Sequence, residues 1–171
     1  MAFDKKQWSV LLTNIRSAHN VGSIFRTADG AGVSKIYLCG YTPTPTSSSK
    51  LVWGHAPTPS DRNIGKDIAK TALGAETFVH WEKHKQTTRL IKKLKHEGIR
   101  IVALEQTPTS ILYAKFKPRF PLCLIVGNEV SGIPKSILAL ADDHIEIPMH
   151  GSKESLNVSV AFGIAAYHIT S

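Results

Sequence analysis

Three stretches of this 171-residue chain concentrate residue types that do chemistry, and each follows a run apolar enough to be a strand. In the first, a polar turn carrying Arg16 and Asn20 leads into Ile24-Phe25-Arg26-Thr27-Ala28. Asn20 suits a helix N-cap, where its side chain would accept from an unpaired backbone donor. Arg26 falls beside the apolar stripe of that helix. A charge so near a core needs a partner, and an incoming phosphate is one candidate. The plainer reading is a solvated arginine or a surface ion pair.

The second stretch runs Leu122-Cys123-Leu124-Ile125-Val126-Gly127-Asn128-Glu129-Val130-Ser131-Gly132-Ile133-Pro134. Gly127 and Gly132 allow backbone conformations closed to other residues and let a ligand approach the main chain. An ordinary strand-to-helix turn would look similar, but ligand sites in open α/β sheets gather at these carboxyl ends. In the third stretch Ile147, Pro148 and Met149 end a strand, and a polar segment with Ser155 and Asn157 precedes a very apolar helix. Either Ser155 or Asn157 taken alone reads as the N-cap of that helix.

Other signals are missing. Gly30-Ala31-Gly32 lacks the third glycine of a dinucleotide fingerprint and follows a helix instead of a strand. The eight histidines are scattered without ligand spacing, so no metal is expected. Cys39 and Cys123 lie in separate apolar runs and read as buried reduced thiols. Lys83–Glu97 holds six basic residues beside Leu90, Ile91 and Leu94. It reads first as an amphipathic helix with a solvated basic face, and second as an RNA-contacting one.

The elements that must position these residues alternate along the chain. Strands are predicted at Ser9–Ile15, Lys35–Cys39, Ile99–Leu104, Leu122–Val126 and His144–Pro148, several of them apolar on both faces as in a covered parallel sheet. Helices are predicted at Val21–Ala31, Arg62–Leu73, Thr87–Glu97 and Ser136–Ala141, which together make a single α/β domain. Residues 40–59 are rich in Pro, Thr and Ser and read as a long functional loop. From Val158 to Ile169 nine of twelve residues are apolar. A helix with no polar face must be buried on all sides, either within the subunit or against a second copy in a homodimer.

Composition narrows the partners. With 42% hydrophobic and 20% charged residues the chain is an ordinary globular protein, not a disordered or disulfide-built one. Its net charge of +8 is uneven: residues 1–60, 61–120 and 121–171 carry +4, +7 and −3. A basic surface over the first two thirds points to a polyanion, nucleic acid before an anionic membrane. No apolar run approaches the roughly 18 residues of a membrane span. The first residues hold no secretory apolar segment, so a cytoplasmic protein is expected.

Taken together, the motifs NxRxxxNVGSIFRTAxxxG from Asn14, LIVGNExxGIP from Leu124 and IPMxGxxxSLNVSVAxGI from Ile147 resemble the SpoU (TrmH-like) branch of the SPOUT RNA methyltransferases. The likeness runs from about Ser9 to Ile169. It implies one SPOUT-type α/β domain over residues 1–171, with a lead-in at 1–8 and a mostly parallel sheet flanked by helices. It also implies a C-terminal deep trefoil knot and cofactor region within 122–171. S-adenosylmethionine is then expected against Val126, Gly127, Asn128, Gly132, Ile147, Met149, Ser155 and Leu156. Asn20, Arg26, Glu129, Ser155 and Asn157 match the family's catalytic positions.

By that resemblance Arg26 activates a ribose 2′-hydroxyl of RNA. Because a guanidinium is a poor base, its role would be to stabilise the forming alkoxide. Arg16, Arg26, Lys50 and Arg62 are candidate RNA contacts. The expected partners are RNA, tRNA in preference to rRNA because so little chain precedes the first strand, and a second copy of the chain. A SAM- or RNA-binding module without catalysis is the alternative of a different class.

Overall fold

The apolar runs do become strands, and every pairing between them is parallel. The computed structural model describes residues 7–45 and 58–171. The strands are β1 (Trp8–Thr13), β2 (Lys35–Cys39), β3 (Trp81–His84), β4 (Arg100–Leu104), β5 (Ile111–Leu112), β6 (Leu122–Val126) and β7 (Asp143–Glu146). They form one seven-stranded sheet in the order β3-β2-β1-β6-β4-β7-β5. Strands late in the chain are therefore inserted between early ones: β6 lies between β1 and β4, and β7 between β4 and β5. The helices are α1 (Ala18–Gly30), α2 (Pro59–Ala72), α3 (Ala75–Phe78), α4 (Thr87–His96), α5 (Lys135–Leu138) and α6 (Val158–Thr170).

Alternation along the strands divides the core into two layers. Val10 and Leu12 of β1 and Leu124 and Val126 of β6 face α1, α2 and α6, where Ile24, Phe25, Ile68 and Phe162 are fully buried. Leu11, Cys123 and Ile125 face the other way, onto Leu90, Ile91 and Leu94 of α4 and Ile137 of α5. This is why the central strands read as continuously apolar. Cys39 and Cys123 are free thiols, and burial pushes both up to about 12, so they are inert at neutral pH.

Several boundaries differ from the sequence expectation for local reasons. β1 stops at Thr13 because Asn14 turns left-handed, at φ 58°. The cap of α1 is Ser17, whose hydroxyl accepts from the Asn20 backbone N–H at 3.2 Å, and not Asn20 itself. α2 starts at Pro59, earlier than Arg62, because Thr58 and Asp61 form a reciprocal capping box. Lys83 and His84 belong to β3 and not to the basic helix, which begins at Thr87. Of the expected loop, Gly40–Pro45 is irregular, Pro59 opens α2, and residues 46–57 lie outside the described residues.

Of the two ways of covering α6 that its composition allows, packing wholly within one subunit is not what this chain does. Val158, Phe162, Ala165, Ala166 and Ile169 are buried, whereas Val160 is 51% and Tyr167 56% exposed. Among the described residues no helix is long and apolar enough to cross a membrane.

Candidate active site at the carboxyl edge of the sheet

The carboxyl ends of β4, β6 and β7, with the segment leading into α6, enclose a cavity of about 460 Å³. That size suits a small-molecule ligand. All eight residues expected to hold a cofactor line it: Val126, Gly127, Asn128, Gly132, Ile147, Met149, Ser155 and Leu156. Every residue from Val126 to Gly132 lines it. Asn128 and Gly132 exchange backbone hydrogen bonds at 3.1 and 3.0 Å, and the Asn128 side-chain oxygen accepts from Val130 N and Ser131 N, both at 2.9 Å.

Both glycines are required by this loop. A Cβ on Gly127 would lie 2.5 Å from the Gly132 carbonyl carbon, and Gly132 has φ +66°. A Cβ on Gly132 would also lie 2.3 Å from Oε2 of Glu105, the oxygen that accepts from Ile133 N at 2.9 Å. Glu105 and Gln106, just past β4, line the same cavity, and Gln106 Nε2 donates to the Glu154 carbonyl at 2.9 Å. Neither residue belongs to a recognisable motif. Their only sequence signal is their place at the end of an apolar strand.

A chain of hydrogen bonds joins the three motifs at the cavity. Glu129 accepts from Arg16 N at 3.0 Å, Ser17 N at 3.1 Å and Asn20 Nδ2 at 3.0 Å. Asn20 Oδ1 in turn accepts from Asn157 Nδ2 at 3.0 Å, and Asn157 Oδ1 caps α6 by accepting from Ser159 N at 2.9 Å. Because Ser17 took the cap, the Asn20 amide is free to bridge a carboxylate and a second amide. Burial by itself would push the Glu129 carboxyl up, but the hydrogen bonds from Arg16 N, Asn20 and Ser17 N outweigh it and hold the group below its ordinary range. Glu129 is therefore anionic at neutral pH.

The other expected site residues lie elsewhere. Ser155 lines the cavity but is exposed and makes no hydrogen bond among the described residues. Arg26 does not line it. Exposed and without hydrogen bond or ion pair among the described residues, it borders a second cavity with Ser23, Asp29, Lys70 and Tyr167. Arg16 reaches Glu129 through its backbone only, Arg62 is exposed on α2, and Lys50 lies outside the described residues.

A bracket on the other side of the cavity loop has no sequence signature. Asn128 Nδ2 donates to the Asn14 carbonyl at 2.8 Å and to the Tyr41 hydroxyl at 3.0 Å, and the Asn14 side-chain oxygen accepts from Tyr41 N at 3.3 Å. Lys83 Nζ donates to the carbonyls of Gly40 and Thr42 on either side of Tyr41. Burial brings the Lys83 ammonium down to about 8.

Comparison with known proteins agrees with this geometry. Residues 55–167 match the SpoU rRNA Methylase family. The chain is 31% identical over 159 residues to a tRNA (guanosine(18)-2′-O)-methyltransferase of Escherichia coli, covering 93% of this chain and 61% of that protein. It is 32% identical over 163 residues to the enzyme of the same name from Aquifex aeolicus, covering 95% of this chain and 68% of that one. The structure superposes on an AdoMet-bound rRNA methyltransferase from Sinorhizobium meliloti with a TM-score of 0.81 at 26% identity, over 99% of this chain and 57% of that one. With two of the motifs lining one cavity, the first hydrogen-bonded to both, and the match extending over most of its length, the chain belongs to the SpoU rRNA Methylase family.

Proposed function

We propose that this protein transfers a methyl group from S-adenosylmethionine to a ribose 2′-hydroxyl of RNA, with tRNA as the substrate. The observation that carries the reading is the Glu129–Asn20–Asn157 hydrogen-bond chain beside a cavity walled by glycine-bared backbone. The named activities of the Escherichia coli and Aquifex aeolicus relatives support tRNA.

The cavity fits the cofactor on its own terms. Gly127 and Gly132 leave room for main-chain approach, Leu104, Ile133 and Leu138 offer apolar surface, and Glu105, Glu129 and Glu146 suit a cationic ligand. Bound there, S-adenosylmethionine supplies a methyl group on a sulfonium, open to attack by an oxygen nucleophile. The protein's task is to align that oxygen and to stabilise the charge it acquires as its proton leaves. Glu129 fixes Asn20, and Asn20 fixes Asn157, so the three side chains hold one geometry at the cavity edge. Arg26 supplies the positive charge for the alkoxide, while an RNA phosphate accepts the proton.

Arg26 and the cavity meet across a subunit boundary. Arg26 borders Tyr167, on the exposed side of α6, so dimerisation that buries Val160 and Tyr167 also brings Arg26 to the interface. A knotted C-terminal segment belongs to the same proposal. Insertion of β6 and β7 between earlier strands is compatible with such threading, although unknotted doubly wound sheets share it.

Methyl transfer from labelled S-adenosylmethionine to total tRNA and to rRNA, followed by nuclease mapping, tests the function. Transfer to a 2′-oxygen of tRNA is expected. SAM binding without transfer to any RNA would instead mark a binding module. Arg26→Ala should lower turnover by about 100-fold or more with SAM affinity kept. Near-normal turnover at saturating substrates would remove Arg26 from the mechanism.

A further inference from the structure

We propose that the carboxyl rim of the sheet, from Tyr41 to the first turns of α4, is a docking track for RNA flanking the target nucleotide. A basic cleft there would take backbone phosphate, and the face of Tyr41 would stack a base. The inference rests on the RNA reading above and names the surface that reading leaves unassigned.

Strand register puts these features in one row. Val126 pairs with Leu12, Thr13 with Cys39, and Cys39 with His84, so the ends of β6, β1, β2 and β3 are aligned. β3 lies three strand spacings from β6, about 14 Å. A few nucleotides leaving the cofactor cavity would cover that distance. At the far end His84, Lys85, Gln86, Arg89, Leu90 and Lys93 line a concave cleft of about 570 Å³ with no carboxylate in its lining among the described residues, Glu82 meeting it only through His84 Nε2 at 3.1 Å. Arg89 makes no hydrogen bond or ion pair among the described residues. Lys93 reaches Glu97 only at 3.8 Å, an exposed pair that a phosphate displaces at little cost.

Tyr41 lies between cleft and cavity. The residue is 61% exposed although both of its ends are held, the hydroxyl by Asn128 and the backbone N–H by Asn14. Lys83 clamps the carbonyls on both sides of it. A large aromatic that is rigid and open to solvent beside a basic cleft is the arrangement by which proteins bind unpaired bases. Its ordering is already complete before RNA arrives, so stacking loses little to immobilisation.

Fluorescence anisotropy with labelled tRNA tests the track independently of turnover, with calorimetry for SAM and thermal melts as a check on folding. Arg89→Glu should raise the tRNA Kd about tenfold or more and flatten its salt dependence by about one phosphate's worth. Arg119→Glu makes the same charge change at the opposite edge of the sheet and should raise Kd less than about threefold. Tyr41→Ala should weaken tRNA about five- to hundredfold, whereas Tyr41→Phe, which keeps the ring and removes only the hydroxyl on Asn128, should hold tRNA within about threefold of wild type. Equal effects of Arg89→Glu and Arg119→Glu overturn the cleft. A Tyr41→Ala loss shared by SAM and tRNA, or matched by Tyr41→Phe, reduces Tyr41 to a brace for Asn128 and overturns the stacking. Rim-dependent binding without methyl transfer would count against the reaction and leave the track standing.

Discussion

Glu129→Gln keeps the shape of the side chain and removes its charge at the point where the three motifs meet. The wild-type carboxylate accepts from Arg16 N, Ser17 N and Asn20 Nδ2. A hydrogen bond to a charged group contributes about 1.5–3 kcal/mol and a neutral one about 1 kcal/mol. With the glutamine oxygen in the Oε1 position, Ser17 and Asn20 keep neutral bonds, and the new amide faces Arg16 N–H donor to donor. Arg16 is exposed, so its N–H can turn to water. Glu129 is only partly buried, so the low end applies: about 0.5 kcal/mol from each weakened bond and about 1.5 kcal/mol from the lost one, about 2–3 kcal/mol together. For a chain of this size that lowers Tm by about 4–12 °C.

The pH dependence of that gap separates charge from shape. Glu129 is held below its ordinary carboxyl value of 4.5 in the folded protein. Its stabilisation is therefore fully present above that ordinary value and is lost as pH falls through the lower, folded one. Calorimetric Tm differences between wild type and Glu129→Gln should be complete at neutral pH and close as pH falls below the ordinary carboxyl value. A gap below about 1 °C at neutral pH, or one that persists on acidification, would falsify the account of Glu129 as a charge-assisted junction.

Gly132→Ala should cost about 1–3 kcal/mol in denaturant unfolding and weaken SAM binding more than about tenfold, since the added Cβ meets Glu105 at a left-handed backbone position. Unchanged SAM affinity in a folded variant would mean that the Asn128–Gly132 loop does not shape the site. Val160→Glu combined with Tyr167→Glu should convert a dimer to monomer by sedimentation and abolish transfer without unfolding the chain. A dimer that survives both changes places the interface elsewhere. Lys83 is brought down from its ordinary 10.5 to about 8, so between those values the unfolded chain binds more protons than the folded one. Stability relative to Lys83→Met should therefore rise as pH climbs from about 8 to 10.5. A difference that is flat or falling over that range would contradict the burial of Lys83.

Legibility followed burial and motif. Lys35–Cys39 and Leu122–Val126 are recovered residue for residue, because strands buried on both faces are apolar without interruption. β3 was hidden by its composition: Trp-Glu-Lys-His is polar enough to pass for the start of the basic helix, as edge strands often are. β5 has two residues, too few for any periodicity. All eight residues expected to hold a cofactor line one cavity because the motifs are local in sequence. What joins the motifs is not local. Glu129 to Ser17 spans 112 residues, and Asn157 to Asn20 spans 137. No spacing rule announces such pairs, and none announces Glu105 or the Lys83 clamp. The sequence points to Asn20 as the cap, whereas the structure uses Ser17, and that difference leaves the Asn20 side chain to bridge Glu129 and Asn157.

Interleaving of late strands among early ones also sets a timetable. β1 cannot gain β6 as its neighbour until more than a hundred further residues have been made, and β7 and α6 come later still. Such separations slow folding, because distant segments must meet before they are rewarded. The cavity needs the ends of β6 and β7 and the approach to α6. During synthesis α1 and the basic helix are thus made well before the cavity has all its walls, so a complete site arrives only with the final segments.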